Sequence, residues 1–592
     1  MPLESTRTYR ATQTDQVTFY PRIFGRHGAV AAEHYSATLA GIEILRMGGN
    51  AIDAACAATL VEGVVNQQMH SIGGELPILI SAPGTADVVC INGNMMAPGN
   101  ATPRAFRDLG LSEIPSEGIL AAGVPGAFGA IITALSHFGR LRFEDVSARA
   151  IALAKAGFPA HSGTIRQHKS GIAANFAKFK AWPGTAAIYL PGGRIPEEGE
   201  LLFNPALADM YLHLVQVEKK TSGDRRAGLQ AAFNEFYRGD IASEIVRFSK
   251  DRGGLLEQSD FDDFEIPIER SVSVSYTGAD VHKCGPWNQG PALLQSLTIL
   301  KNFDLRELGH NSAAYIHTVL EAIKLAFADR EQFYGDPRQV QVPLDMLLSD
   351  GYGQLRSGLI EDRAIGELRP GNPREAGALL PSSERLGGAA WGPGTVHVDA
   401  MDCDGFTAAF TPSGGWISAS EIIPALGFAL SMRLSNCYLG PAHHPNIVAP
   451  FKRPRTTISP SLVMKNGKAW MAFGSMGGDQ QDQWQLQFLL NRMVFGMSLQ
   501  KAIEAPKFSS EHFPGLFAPH DFFLNRVRLE PEMGASVFAE LGARGHDVDI
   551  APSWSEGFIC AAERNIENGV LEAGCDPRST KSEVFPACAL AI

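Results

Sequence analysis

The spacing of apolar and polar residues along this chain changes period several times, and each change predicts an element. From His34 to Asn50 the apolar positions Leu39, Ile42, Ile44 and Leu45 recur at helical spacing, with Ser36 placed to cap the helix and Gly48-Gly49 to end it. A second helix is predicted from Asn50 to Val65, where Ala51, Ala54, Ala55, Ala57 and Ala58 suit close burial. The period then shortens: Ile78-Leu79-Ile80 and Val88-Val89-Cys90-Ile91 read as strands split by Pro83-Gly84. An apolar helix follows Gly123-Val124-Pro125-Gly126, and another runs from Phe143 to Ala156 until Phe158-Pro159 ends it. From Gly184 to Ile360 the pattern is mostly helical, with a strand-like break at Ser271–Tyr276 and an amphipathic helix from His317 to Tyr334. Helices and buried strands in alternation predict α and β layers packed together.

Two-thirds of the way along, Val396, Val398 and Ala400 alternate with His397, Asp399 and Met401, Asp404-Gly405 makes a turn, and Phe406–Thr411 returns as a second strand. The segment before it, 370–394, carries six glycines and four prolines with neither period, and is expected to be exposed and extended. Thr395 thus falls where a loop enters a sheet. It reads either as a β-branched residue opening a strand or as a nucleophile. If the Gly394–Thr395 bond is cut, Thr395 gains an α-amine within reach of its own hydroxyl, and an amine with a pKa of about 8 can act as its base. Further on, Ser461–Met464 and Ala469–Phe473 pair around Lys465-Asn466-Gly467-Lys468, and the second strand runs into Gly474-Ser475-Met476-Gly477-Gly478. Gly477-Gly478 reads either as a tight turn or as a place where bare backbone N–H groups face a cleft, which suits an oxyanion site.

Composition narrows the partners. The 592 residues are 45% hydrophobic and 19% charged with a net charge of −12, which is globular in balance and argues against nucleic acid or an anionic membrane as the main partner. No run of eighteen apolar residues is present, and the first thirty residues lack the apolar core of a secretory signal, so a cytoplasmic location is expected. The eight cysteines are scattered without a CxxC pair, and His443-His444 near Cys437 fits no ligand spacing; no metal, cofactor or disulfide framework is expected.

Taken in order, several motifs resemble the γ-glutamyltranspeptidase family of N-terminal nucleophile hydrolases. They are Gly-Gly-Asn-Ala-Ile-Asp-Ala-Ala at 48–55, Ile-Gly-Gly at 72–74, Ala-Pro-Gly-Asn-Ala-Thr-Pro at 97–103, Gly-Val-Pro-Gly at 123–126 and Phe-Tyr-Arg-Gly at 236–239. Glu321-Ala322 through Arg330, Tyr334-Gly335-Asp336-Pro337, Asp402-Cys403-Asp404-Gly405, Ile458-Ser459-Pro460-Ser461, Gly474–Gly478, Ala505-Pro506-Lys507-Phe508 and Asp576-Pro577-Arg578 continue the series. The resemblance implies a four-layer α/β/β/α sandwich and a precursor that cuts itself between Gly394 and Thr395. The products would be a large subunit of 1–394 and a small one of 395–592 that stay associated, with a homo-oligomer also open. It implies Thr395 as nucleophile, Gly477 and Gly478 as oxyanion donors, a small-molecule amide as substrate, and water or an amine as acyl acceptor.

The positions that would grip a γ-glutamyl group match less well. Asn94 stands where the family has the arginine that binds the substrate carboxylate, and an amide cannot supply a bidentate cation. Gly415 replaces an asparagine, Ser435-Asn436 replace paired aspartates, and Thr456-Thr457 keep the hydroxyls of a serine pair. Ser413 completes the expected substrate-binding set, while Arg453 or Arg455 offers an alternative cation. Three readings follow: a γ-glutamyl amidohydrolase or acyltransferase, an acylase acting on other small amides, and an uncut relative that works by binding.

Overall fold

The computed structural model describes residues 17–167, 169–371, 394–581 and 584–592, so most of the expected extended segment 370–394 lies outside the described residues. Two seven-stranded antiparallel sheets form the centre. In the first the order is Ile23–Gly25, Leu571–Cys575, Ile559–Arg564, Lys468–Ser475, Ser461–Lys465, Ala279–Lys283, Val272–Tyr276. In the second it is Cys588–Ala591, Gly28–Ala32, Val398–Asp402, Thr407–Phe410, Leu76–Ser81, Val88–Gly93, Ile268–Arg270.

Strand alternation sorts side chains between the two faces of each sheet. Val30, Ala32, Ile78, Ile80, Val398 and Ala400 face the outer helices, whereas Ala29, Ala31, Leu79, Met401 and Ala409 join Leu462, Ala472, Cys560, Ala562 and Ala573 of the other sheet in a core between them. Small residues dominate that inner core. Outside one sheet lies the helix Ala51–Val65, buried at every position, together with Tyr35–Arg46. Outside the other lie Pro291–Leu300, Ala313–Phe333 and Gln481–Met493. This is the four-layer α/β/β/α sandwich that the motifs implied.

The helix stop at Gly48 and the helix Phe143–Ala156 match the pattern, as do the strands near 78 and 88. The cap of the first helix differs: it is His34, whose Nδ1 accepts the backbone N–H of Ser36 at 3.0 Å, and Leu39 points outward. The helix Ala313–Phe333 is not amphipathic but buried nearly all round, since Glu321, Lys324, Asp329 and Arg330 bury their charges in ion pairs. The motif residues near the hairpin act through the backbone. Asp402 accepts the N–H groups of Gly405 (2.9 Å) and Phe406 (3.0 Å) with one oxygen and that of Ala51, at a helix N-terminus, with the other (2.8 Å). The turn and the helix Ala51–Val65 are therefore locked together.

One residue of that helix sets a pH dependence. Burial pushes the Glu62 carboxyl up to about 8, against the hydrogen bond from Asn66 Nδ2 at 2.6 Å. A folded carboxyl that holds its proton more tightly than the unfolded chain favours folding at low pH, and that contribution is lost as pH rises from about 4.5 to about 8. Glu62→Gln is expected to flatten the fall in melting temperature across this window; an unchanged slope in calorimetric scans from pH 5 to 8 would reject the assignment. No helix among the described residues is long and apolar enough to cross a membrane.

Candidate active site

Asp399 and Met401 share the inward face of the strand Val398–Asp402, towards the space between the sheets, and Thr395 lies three residues before that strand, paired with Ser413 in an isolated antiparallel bridge. Across that space the strand Lys468–Ser475 supplies Gly474, which the His397 ring approaches so closely that a Cβ there would sit 2.4 Å from Cε1. His397 is held at both nitrogens, by Thr411 Oγ1 at 2.9 Å and by Asp399 Oδ1 at 2.9 Å. Burial pushes Asp399 up to about 6, with His397 pulling the other way.

The hydroxyl of Thr395, itself buried, lies 3.1 Å from Ser413 Oγ and receives Gln481 Nε2–H at 3.4 Å. Gln481 opens the helix that follows the Gly477-Gly478 turn, and its Oε1 accepts the N–H of Ser459 at 3.1 Å, which orients the amide. Ser413 is fixed by a two-way bridge to Glu75, with N–H to carbonyl distances of 2.8 and 3.0 Å. That bridge explains the Ile-Gly-Gly motif: a Cβ on Gly74 would meet the Ser413 carbonyl at 2.1 Å. Arg433 donates from Nη2 to Ser413 Oγ at 2.6 Å and pairs through Nε with Glu75 at 3.3 Å. Burial raises the Glu75 carboxyl even with Arg433 beside it.

The carbonyl of Gly394, on the other side of the Gly394–Thr395 bond, accepts Ser413 Oγ–H at 2.8 Å and Trp416 Nε1–H at 2.8 Å. Gly394 has φ +150°, and a Cβ on it would lie 2.4 Å from Met69 Sδ, so the packing admits only glycine. Gly477 adopts φ +116° with the Trp484 ring 2.3 Å from where a Cβ would be. Gly478, at φ +58°, has open space on that side and gives its carbonyl to Gln289 Nε2 at 3.3 Å.

The remaining predicted residues fall into two groups. Asn94 is buried against the 452–457 segment, donating to the Pro454 carbonyl at 2.6 Å while its own carbonyl meets Arg453. Thr456 and Thr457 follow on that segment. Ser435 and Asn436 sit in the single turn Arg433–Asn436, and Gly415 packs against Ser71, where a Cβ would lie 2.0 Å from Oγ. That collision shows why no asparagine stands at 415. The expectation that Arg453 or Arg455 offers a spare cation fails. Arg455 spends its guanidinium on Glu331 (2.6 Å) and the carbonyls of Arg330 (2.8 Å) and Tyr334 (3.3 Å), and Arg453 spends its own on the carbonyls of Glu265 (2.6 Å) and Asn94. The cation that reaches the Thr395 surroundings is instead Arg433, which sits in an irregular loop with no sequence period to reveal it. Trp416 and Glu75 lie outside regular elements as well, and Gln481 opens a helix whose polar first turn gave nothing to single it out.

His317, Glu321 and His546 bring three possible metal-ligand atoms within 4.8 Å of one another. Both oxygens of Glu321 are already occupied, by Lys324 Nζ at 2.5 Å and Arg369 Nη2 at 3.1 Å, so the group reads as an ion-pair network.

The layered fold is that of the N-terminal nucleophile hydrolases. The family model for gamma-glutamyltranspeptidase matches residues 37–585, and the chain belongs to that family of hydrolases. It is 30% identical over 574 residues to the glutathione hydrolase-like YwrD proenzyme of Bacillus subtilis (strain 168), covering 95% of this chain and 99% of the relative. It is also similar to the solved structure of LmbA2991, with TM-score 0.90 and 36% identity over 97% of this chain and 100% of that one. The crystal structure of cephalosporin acylase from Bacillus halodurans gives TM-score 0.83 and 26% identity over 100% of this chain and 99% of that one.

Proposed function

We propose that this chain is an autoprocessing amidohydrolase that cuts itself between Gly394 and Thr395 and then works through a threonyl acyl-enzyme. The observation that carries this reading is the Thr395 hydroxyl, held 3.1 Å from Ser413 Oγ beside a Gly394 carbonyl that two donors already polarise. The Thr395 hydroxyl attacks that carbonyl, the acyl group shifts from nitrogen to oxygen, and water hydrolyses the ester to leave subunits 1–394 and 395–592. The freed Thr395 amine then serves as base while the hydroxyl attacks a substrate amide, the Gly477 and Gly478 N–H groups take the oxyanion, and water releases the acyl group. The intact mass of the purified protein tests this: two fragments are expected, the smaller beginning Thr-Val-His-Val, and a single chain stable over days sinks the proposal.

Among acyl groups, the site favours one without a γ-glutamyl carboxylate. Asn94 Oδ1, Asn436 Oδ1 and the Thr456 and Thr457 hydroxyls are buried with no partner among the described residues, a set of acceptors and hydroxyls that carries no cation. Such a set suits a neutral acyl group that carries hydrogen-bond donors, which supports the acylase reading. In a panel of anilides, neutral acyl compounds are expected to exceed the γ-glutamyl compound in kcat/KM by at least about tenfold, or about 1.4 kcal/mol. The reverse order would return the assignment to γ-glutamyl hydrolysis. The single Asn94→Arg change is not a clean restoration, because Arg453 already occupies the space beside residue 94.

A further inference from the structure

Ser413 has one hydroxyl proton, and its three neighbours decide where it goes. The Gly394 carbonyl can only accept (2.8 Å) and Arg433 Nη2 can only donate (2.6 Å), so the Ser413 O–H points at Gly394 O. Ser413 Oγ then faces Thr395 Oγ1, 3.1 Å away, as an acceptor, and the Thr395 proton points at it. Gln481 Nε2 donates to Thr395 Oγ1 from another side at 3.4 Å, consistent with that direction. A continuous proton line therefore runs from the attacking hydroxyl to the oxygen on which charge develops when the attack occurs. The second donor to that oxygen is the Trp416 indole N–H at 2.8 Å, shared with the Met69 carbonyl at 2.9 Å.

Resting on the self-cleavage reading above, we infer that Trp416 Nε1 and Ser413 Oγ form an oxyanion site for maturation, separate from the Gly477-Gly478 turn. Trp416 is the catalytic donor of this step, and Arg433 is a positioning residue that acts through Ser413. In the step, the bond from Thr395 Oγ to the Gly394 carbonyl carbon forms, and the Thr395 proton passes to Ser413 as the Ser413 proton passes to Gly394 O. As the C–N bond breaks, the proton on Gly394 O passes to the departing Thr395 nitrogen and the carbonyl reforms as an ester, so the net result is one proton moved from Thr395 Oγ to Thr395 N. Once water has hydrolysed the ester, Gly394 no longer needs the Trp416 donor, so loss of that N–H falls on maturation more than on turnover, whereas Ser413 still meets the Thr395 hydroxyl.

Trp416→Phe removes the N–H. Conversion of the precursor, followed by intact mass, is expected to slow by about 100-fold, the size found for loss of one oxyanion donor, while turnover per cut molecule falls far less. Phenylalanine also alters a ring that packs 6.0 Å from Phe517 and lies 4.7 Å from the Arg433 guanidinium. A second variant therefore carries β-(3-benzothienyl)alanine at position 416, which keeps the bicyclic shape and puts sulfur in place of N–H. Similar slowing in both variants supports the inference; full-speed cleavage of the benzothienyl variant, or turnover reduced as much as maturation, overturns it. Wild-type protein that is never cut before Thr395 instead sinks the self-cleavage reading itself.

Discussion

Replacing Thr395 by alanine is expected to leave a single chain of full mass and to lower amide hydrolysis on the order of 10⁴-fold or more. The size follows from removing two functions at once, since without the cut there is neither a hydroxyl nucleophile nor a free α-amine to serve as its base. The loss is not expected to come from unfolding. Among the described residues the hydroxyl hydrogen-bonds Ser413 Oγ (3.1 Å) and Gln481 Nε2 (3.4 Å), while Ser413 keeps its bonds to Gly394 and Arg433. Thr395→Ser supplies the control: it keeps the hydroxyl, loses the β-methyl, and is expected to mature more slowly to the same two masses. Normal fragments from the alanine variant would move the cut to another nucleophile.

The second large effect is expected at Arg330, far from Thr395 in sequence. Its Nη1 meets Asp479 and Gln289 Oε1 (2.9 Å), its Nη2 meets the Pro514 carbonyl (2.8 Å), and its guanidinium lies against Phe327 and Phe513. Asp479 directly follows Gly478, and Gln289 holds the Gly478 carbonyl at 3.3 Å, so this one side chain ties the Gly477-Gly478 turn to the helix Ala313–Phe333. Arg330→Met keeps length but leaves Asp479 buried without its cation, a break that costs about 3–5 kcal/mol. A lower urea midpoint is expected, its shift multiplied by an unchanged m matching that loss, with kcat reduced because the turn loses its anchor. Adding Asp479→Asn should recover part of the stability by removing the stranded charge. An unshifted midpoint in the single variant would show that other contacts hold the turn.

Where local pattern decided structure, it was readable in the sequence. Val398, Ala400 and Met401 alternate cleanly because one face of their strand meets helices and the other meets a sheet. The helix at 51–65 announced itself through small residues, and Asn50, expected as its first residue, is instead its cap. The strand Ala279–Lys283 did not, because it carries Asp280, His282 and Lys283, and the burial of Lys283 is met by Asp482 (2.8 Å), Ser461 Oγ (2.9 Å) and Gln485 Oε1 (3.0 Å), all remote in sequence. The same limit applies to the site. Thr395, Gly477 and Gly478 were named from family motifs and Ser413 as a substrate-binding candidate, whereas Arg433 and Trp416 lie in a stretch whose shape is set by contacts with Glu75, Met69 and Gly394. Long-range pairing of buried charges leaves no period behind.

The order of strands in the two sheets bears on what becomes of a molecule after the proposed cut. Each sheet mixes strands from before and after residue 394: Val398–Asp402 is paired with Gly28–Ala32, and Ser461–Lys465 with Ala279–Lys283. The uncut chain folds as a first-order process, with every partner tethered to it. Once divided, the two pieces are woven through each other and hold together without a covalent link, but any molecule that unfolds must find its other half by diffusion. Maturation then acts as a ratchet: the cut enzyme lives on the height of its unfolding barrier rather than on its ability to refold.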